Sequence, residues 1–223
     1  MSRPAAGGGR WVTVAPERLA GWLDGFSARH GAVECTAGAD LVTVRAADGA
    51  LAACEVPFPP LVAGRAPWGG LVEHALVPRT LGVLLVRLGG HAAGVFAGGA
   101  PALAARTGSR PVHGRAAAGG WSQHRFARRR EGQARTALQA AADTAAEVLL
   151  PSIDGLDAVV TGGDRRALET VLADPRLAPL RPLLAARVLE VPDPRRRVLE
   201  EAAQRARDVW IRLIEPIGDP AEG

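Results

Sequence analysis

Not one lysine occurs in the chain, and all 27 basic residues are arginine. That absence excludes Schiff-base chemistry and a Walker-type phosphate loop, both of which need a lysine amine. Cysteine is scarce, with only Cys35 and Cys54, each in a strand-like run where a thiol is expected to behave as a small buried hydrophobe. No apolar stretch approaches the roughly 20 residues that span a bilayer, and no apolar segment follows a basic start. A cytoplasmic protein without a membrane partner is expected. His30, His74, His91, His113 and His124 show no metal-ligand spacing and read as surface or turn residues.

What is present suits an ordinary folded protein. A hydrophobic share of 48% against 22% charged residues over 223 positions supports a real core, in one main domain with a small accessory layer. Residues 1–10, rich in proline, alanine and glycine, read as a disordered tail. The charge is uneven. Between Arg106 and Arg135 eight arginines face one acid, Glu131, so this window carries +7; the whole chain is only +4, and the remainder is therefore −3. Focused positive charge suits a polyanion, because each arginine placed on a phosphate releases counterions.

Hydrophobic periodicity divides the chain into a small αββ segment over residues 11–66 and a larger domain over residues 67–223. The first begins with a strand at Trp11 to Val14. A helix follows from Pro16 to about Arg29, with Leu19, Trp22, Leu23 and Phe26 at helical spacing and Gly31 as its stop. Strands at Ala32 to Thr36, Leu41 to Ala46 and Leu51 to Val56 come next, the last two joined through Asp48-Gly49. Prolines 57, 59, 60 and 67 then mark a linker that Trp68-Gly69-Gly70 extends.

The larger domain starts with a hairpin, Leu81 to Leu88 and His91 to Ala97, and a third strand at Ala102 to Thr107. The stretch Gly108 to Gly120 is a loop, long enough to need a functional reason. From Ser122 the pattern predicts a helix of roughly 28 residues, with Phe126, Ala134, Leu138, Ala141, Ala145, Val148 and Leu149 on one stripe and Pro151 as its end. Then come a strand at Leu156 to Thr161, a helix at Asp164 to Leu172, a strand at Ala186 to Val191 and a final helix at Pro194 to Leu213. The order βββ-α-β-α-β-α predicts a mixed α/β (α+β) fold, an RNase-H-like sheet with packed helices preceded by the αββ layer.

The window from Ala118 to Arg130 joins the long loop to the long helix and contains Gly119, Gly120, Trp121, Ser122 and Gln123, followed by Arg125, Arg128, Arg129 and Arg130. This G-x-x-Q loop with its basic helix resembles the catalytic loop of the Vms-like release factors, relatives of the archaeal and eukaryotic peptide-chain release factors. The resemblance covers most of the chain, from about Trp11 to Pro216. It implies a peptidyl-tRNA hydrolase that releases nascent chains from stalled ribosomal complexes. The implied partners are peptidyl-tRNA and the rRNA of the large subunit, with no cofactor and no metal, and a monomer is expected. Gln123, Gly120 and Gly119 would form the catalytic loop. Trp121, Ser122, Arg115, Arg125, Arg128, Arg129 and Arg130 would contact RNA.

Residue chemistry is consistent with those roles. Glycines without a Cβ allow a close approach to RNA, and the Gln123 amide offers a donor and an acceptor without titrating near neutrality. Arg125, Arg128 and Arg129 fall at i, i+3 and i+4 on one helix face. Trp121 has a ring able to stack on a base. A plain helix start, with Ser122 as N-cap, would look similar. Two residues separate Gly120 from Gln123, unlike the contiguous GGQ of termination factors, and no codon-reading domain is visible, so termination at a stop codon is not implied.

Four rivals remain to be set beside this reading. Gly120-Trp121-Ser122-Gln123-His124 approximates a nucleophile elbow, but no histidine follows His124 to complete a triad in that chain order. A two-metal nuclease would need carboxylates on the first two strands of the larger domain, which carry none. A non-catalytic RNA- or ribosome-binding protein using the arginine-rich helix is the alternative from another class, and the resemblance also leaves open an enzyme that removes the tRNA CCA end.

Overall fold

The computed structural model describes residues 2–5, 8–87, 89–109 and 122–216, with the backbone alone for residues 2 and 122–130. Contacts divide the chain into two units. One joins Met1–Val77 to Arg207–Gly223, and the other is Pro78–Ala206.

The first unit is built on a six-stranded antiparallel sheet. Its strands are β1 (Ser2–Pro4), β2 (Arg10–Val14), β3 (Val33–Ala37), β4 (Leu41–Ala46), β5 (Leu51–Glu55) and β11 (Val209–Ile214). They lie in the order β1-β2-β11-β5-β4-β3. Helix α1 (Pro16–His30) buries Leu19, Leu23 and Phe26, which join Val42, Val44, Cys54 and Ile211 in one core. Proline at the first helical position and Gly31 at φ +83 fix the two ends of α1 as the sequence pattern expects.

Three features of this unit differ from the sequence reading. Ser2–Pro4, within the segment read as a tail, pairs antiparallel with β2. The stretch read as a linker ends in a 3-10 turn at Pro67–Gly70 and a short helix α2 (Leu71–Leu76), whose Leu71 and Ala75 enter the core. Gly69 is needed there because a Cβ at φ +66 would strike the Ala37 side chain. The final helix expected over Pro194 to Leu213 is instead a helix of ten residues followed by β11. Val209–Ile214 alternates buried and half-buried positions with period two, and β-branched and aromatic residues favour a strand there. The chain thus returns to the first unit, and the break between units falls at Val77/Pro78 rather than near residue 66.

The second unit contains β6 (Thr80–Arg87), β7 (Gly90–Ala97), β8 (Ala104–Ser109), α3 (Ser122–Leu149), β9 (Ala158–Gly163), α4 (Arg165–Leu172), β10 (Leu184–Leu189) and α5 (Arg196–Arg205). Its sheet has the order β10-β9-β6-β7-β8, with β6-β7-β8 antiparallel and β6-β9-β10 parallel. Counted within the unit the order is 5-4-1-2-3, the arrangement of an RNase-H-like sheet, so the mixed α+β expectation holds. Helices α3 and α4 cover the face that presents Leu84, Val86, Ala93 and Val95. On the opposite face a Cβ at Gly94 would touch Leu199 of α5. Two-sided cover explains why β6 and β7 read as continuous apolar runs rather than alternating ones.

Candidate functional site

The end of α3 near Leu149 is firmly held. Ala141, Ala142, Ala145, Val148 and Leu149 are buried against the sheet, as the sequence stripe predicts for all but Ala142. His91 on β7, 6% exposed, shares a 3.0 Å hydrogen bond with Thr144 on α3. Gly108 on β8 makes room for that ring, since a Cβ there would strike the imidazole. His91 is therefore a buried anchor and not the surface or turn residue that its sequence context suggested. Arg106 pairs with Glu147 across β8 and α3. Arg176 joins Asp143 of α3 to Asp174, each at 2.7 Å. The hydrogen bond from Arg176 holds both carboxyls below the usual carboxylate range and raises the guanidinium in turn.

The start of α3 is different. A helix of 28 residues is about 42 Å long, whereas a strand of eight spans about 26 Å, so α3 outruns the sheet that it covers. Among the described side chains its first buried one is Ala141. Ser122, Gln123, Arg125, Arg128, Arg129 and Arg130 occupy the opening turns of this rod, where the structure describes backbone only. Arg115, Gly119, Gly120 and Trp121 lie outside the described residues. The helix begins at Ser122, in register with the sequence expectation, so Gln123 is carried on its first turn.

Beside the same helix is a feature that sequence reading missed. A cavity of about 220 Å³ opens between α3 and α4 at the carboxyl ends of the parallel strands β6 and β9. Alanines 134, 137 and 141 line its α3 side, and their spacing puts them on one face. Arg87 and Arg166 stand at it. The signal was available in the run of small residues on α3, but their consequence depends on a helix more than twenty residues downstream. Gly163, at φ +109, closes the strand end, and a Cβ there would collide with the Val86 carbonyl.

Of the two cysteines, Cys54 is buried as expected and burial pushes its thiol up to about 12. Cys35 is exposed, because it lies on β3 at the sheet edge. Among the described residues no group of three or more His, Cys, Asp or Glu side chains is placed to hold a metal, and no helix is long and apolar enough to cross a membrane.

A three-layer RNase-H-like sheet with a long basic helix projecting past it defines the class as a mixed α+β protein of that architecture. Residues 79–212 match the family model described as Actinobacteria/chloroflexi VLRF1 release factor. That match exceeds half of the chain, and the protein belongs to this release factor family. It begins at Arg79, next to the boundary of the second unit, and runs into β11. Among solved structures, the crystal structure of the archaeal translation termination factor aRF1 is similar at 15% identity and a TM-score of 0.40. The similarity covers 73% of this chain and 48% of that one, so the chain spans about half the length of the structure it matches. No curated protein matches it.

Proposed function

We propose that the chain is a peptidyl-tRNA hydrolase that acts on stalled ribosomal complexes and frees the nascent chain. The observation that carries the reading is the placement of Gln123 on the first turn of a helix that outruns its sheet, within a +7 segment, in a member of a release factor family. A residue on the first turn of such a helix suits entry into an RNA-walled centre.

In the reaction, the oxygen of a water attacks the ester carbonyl that links the peptide to the terminal ribose. The bond between the carbonyl carbon and the ribose oxygen breaks. The ribose oxygen takes up one proton of the water, the peptide leaves as a carboxylate, and the second proton passes to solvent. The Gln123 amide does not titrate, so its part is to hold the water and the ribose in line and to stabilise developing charge. Gly119 and Gly120 permit the close approach, and Arg115, Arg125, Arg128, Arg129 and Arg130 neutralise surrounding phosphates. Trp121 stacks on a base, and Ser122 supports the loop at the start of the helix.

Gln123→Ala tests this. Loss of one well-placed polar group in a transition-state site costs roughly 100- to 1,000-fold in rate. Release from purified stalled nascent-chain complexes is expected to fall by that order while binding persists. Unchanged release with binding intact leaves a purely RNA-binding protein as the better account.

A further inference from the structure

The cavity between α3 and α4 is not used by the Gln123 chemistry, and its lining has a mixed character. Its floor is carbon. Ala134, Ala137, Leu138 and Ala141 present one face of α3, and Ala167 of α4 stands opposite. Alanine stubs do not reach across the gap, which protein interiors ordinarily close to near-crystalline density. The rim is polar and largely cationic. Arg87 is fixed there by a 2.7 Å hydrogen bond from its guanidinium to the Val191 carbonyl and by an ion pair of its Nε with Asp193 at 3.9 Å, and Arg166 is exposed on α4. Asp164 is the one acid at the cavity, and its Oδ1 accepts from the Ala167 N–H at 2.9 Å. Thr170 adds a hydroxyl.

The place in the fold has its own meaning. Strands β6 and β9 are parallel neighbours, so their carboxyl ends meet at one edge of the sheet, and the cavity opens there. Ligands of open α/β sheets bind in crevices outside the carboxyl ends of parallel strands. The arginine-rich window also ends here, at Arg135, next to the cavity-lining Ala134.

We propose that this cavity holds one nucleotide of RNA, its base lying flat between the alanine faces of α3 and α4 and its phosphate at Arg87 and Arg166. A purely apolar ligand would leave the exposed Arg166 guanidinium at the rim unused, and a bare anion would leave the carbon floor unused. The volume of about 220 Å³ is below the roughly 300–1,000 Å³ of pockets that enclose drug-sized molecules, so a single base with part of its sugar is the fitting load. Asp164 and Thr170 line the same cavity. Because the Thr170 hydroxyl donates to the Arg166 carbonyl at 2.9 Å, its oxygen and the second oxygen of Asp164 are left as acceptors for base or ribose hydrogens. The site is independent of the role given to Gln123, because it is built from different residues.

The test is a titration of the full chain with 5′-AMP and with a short single-stranded oligoribonucleotide, followed by the backbone amide resonances of Gly90, Ala137 and Ala167. Saturable shifts at these amides are expected with both probes, at lower concentration for the oligonucleotide. Ala137→Leu fills the cavity and should abolish the shifts while leaving the melting temperature unchanged or higher. Arg166→Gln, at an exposed position, should weaken the oligonucleotide by about tenfold and reduce its salt dependence. Shifts with the mononucleotide only would identify a free nucleotide and overturn the assignment to RNA. No saturable shift in the wild type, or shifts that persist in Ala137→Leu, would overturn the site altogether. Gln123→Ala should titrate like the wild type, so loss of release and loss of nucleotide binding fail separately.

Discussion

The contact between His91 and Thr144 makes a quantitative demand on α3. Both residues are more than nine-tenths buried, their hydrogen bond is 3.0 Å, and the ring is boxed in at Gly108. Thr144→Val is nearly isosteric, so it opens no cavity and removes only the hydroxyl opposite the imidazole Nε2. Leaving a buried polar atom without that partner costs about 1 to 3 kcal/mol. At about 2 kcal/mol, and with roughly 2 to 4 °C per kcal/mol for a chain of this length, the unfolding midpoint should drop by roughly 4 to 8 °C. Thr144→Ser keeps the hydroxyl and loses one methyl, about 0.8 kcal/mol, and should fall between the two. Scanning calorimetry, with hydrogen exchange at the amides of β7 and α3, reads both effects. A Thr144→Val protein that melts with the wild type, or above Thr144→Ser, refutes the view that this pair anchors the helix to the sheet.

Other outcomes follow from the same structure. Ile211→Ala, on the strand that completes the first unit, should cost about 2 to 5 kcal/mol in urea unfolding, whereas a helical surface at this position would lose far less. The Asp48 carboxyl is held below its ordinary value by the Ala50 N–H and then by His30. Its folded pKa is the lower one, so its contribution is complete above the ordinary carboxylate value near pH 4 and is lost as pH falls through the folded value. Asp48→Asn should therefore flatten the acid limb of a stability profile and leave its neutral region little changed in slope. A thiol reagent at pH 8 should label exposed Cys35 in the native chain and reach Cys54 only in denaturant.

Elements that a single local rule decides were legible in the sequence. The long helix was read with both ends, because a buried stripe runs to Leu149 and Pro151 stops it. Strands β6 and β7 were read from unbroken apolar runs, and the β4–β5 turn from Asp48-Gly49 with Gly49 at φ +91. What escaped depends on neighbours distant in sequence. Val209–Ile214 was joined to the preceding helix because five apolar residues around Arg212 fit either period, and only pairing with β2 and β5 makes it a strand. Leu71–Leu76 is too short for its periodicity to stand out from a Pro/Gly-rich stretch. His91 is ordinary in sequence and becomes an anchor only when Thr144 and Gly108 meet it. The same is true of the cavity, which three alanines make possible and α4 completes. The G-x-x-Q loop was legible as a motif, while its side chains lie outside those the structure describes.

The reaction itself is tested most directly by following the 3′ end of the tRNA when purified protein meets stalled nascent-chain complexes. The account predicts free peptide and an intact tRNA ending in CCA with a regenerated hydroxyl. A tRNA shortened by its CCA end, or peptide still attached after prolonged incubation with bound protein, would contradict it.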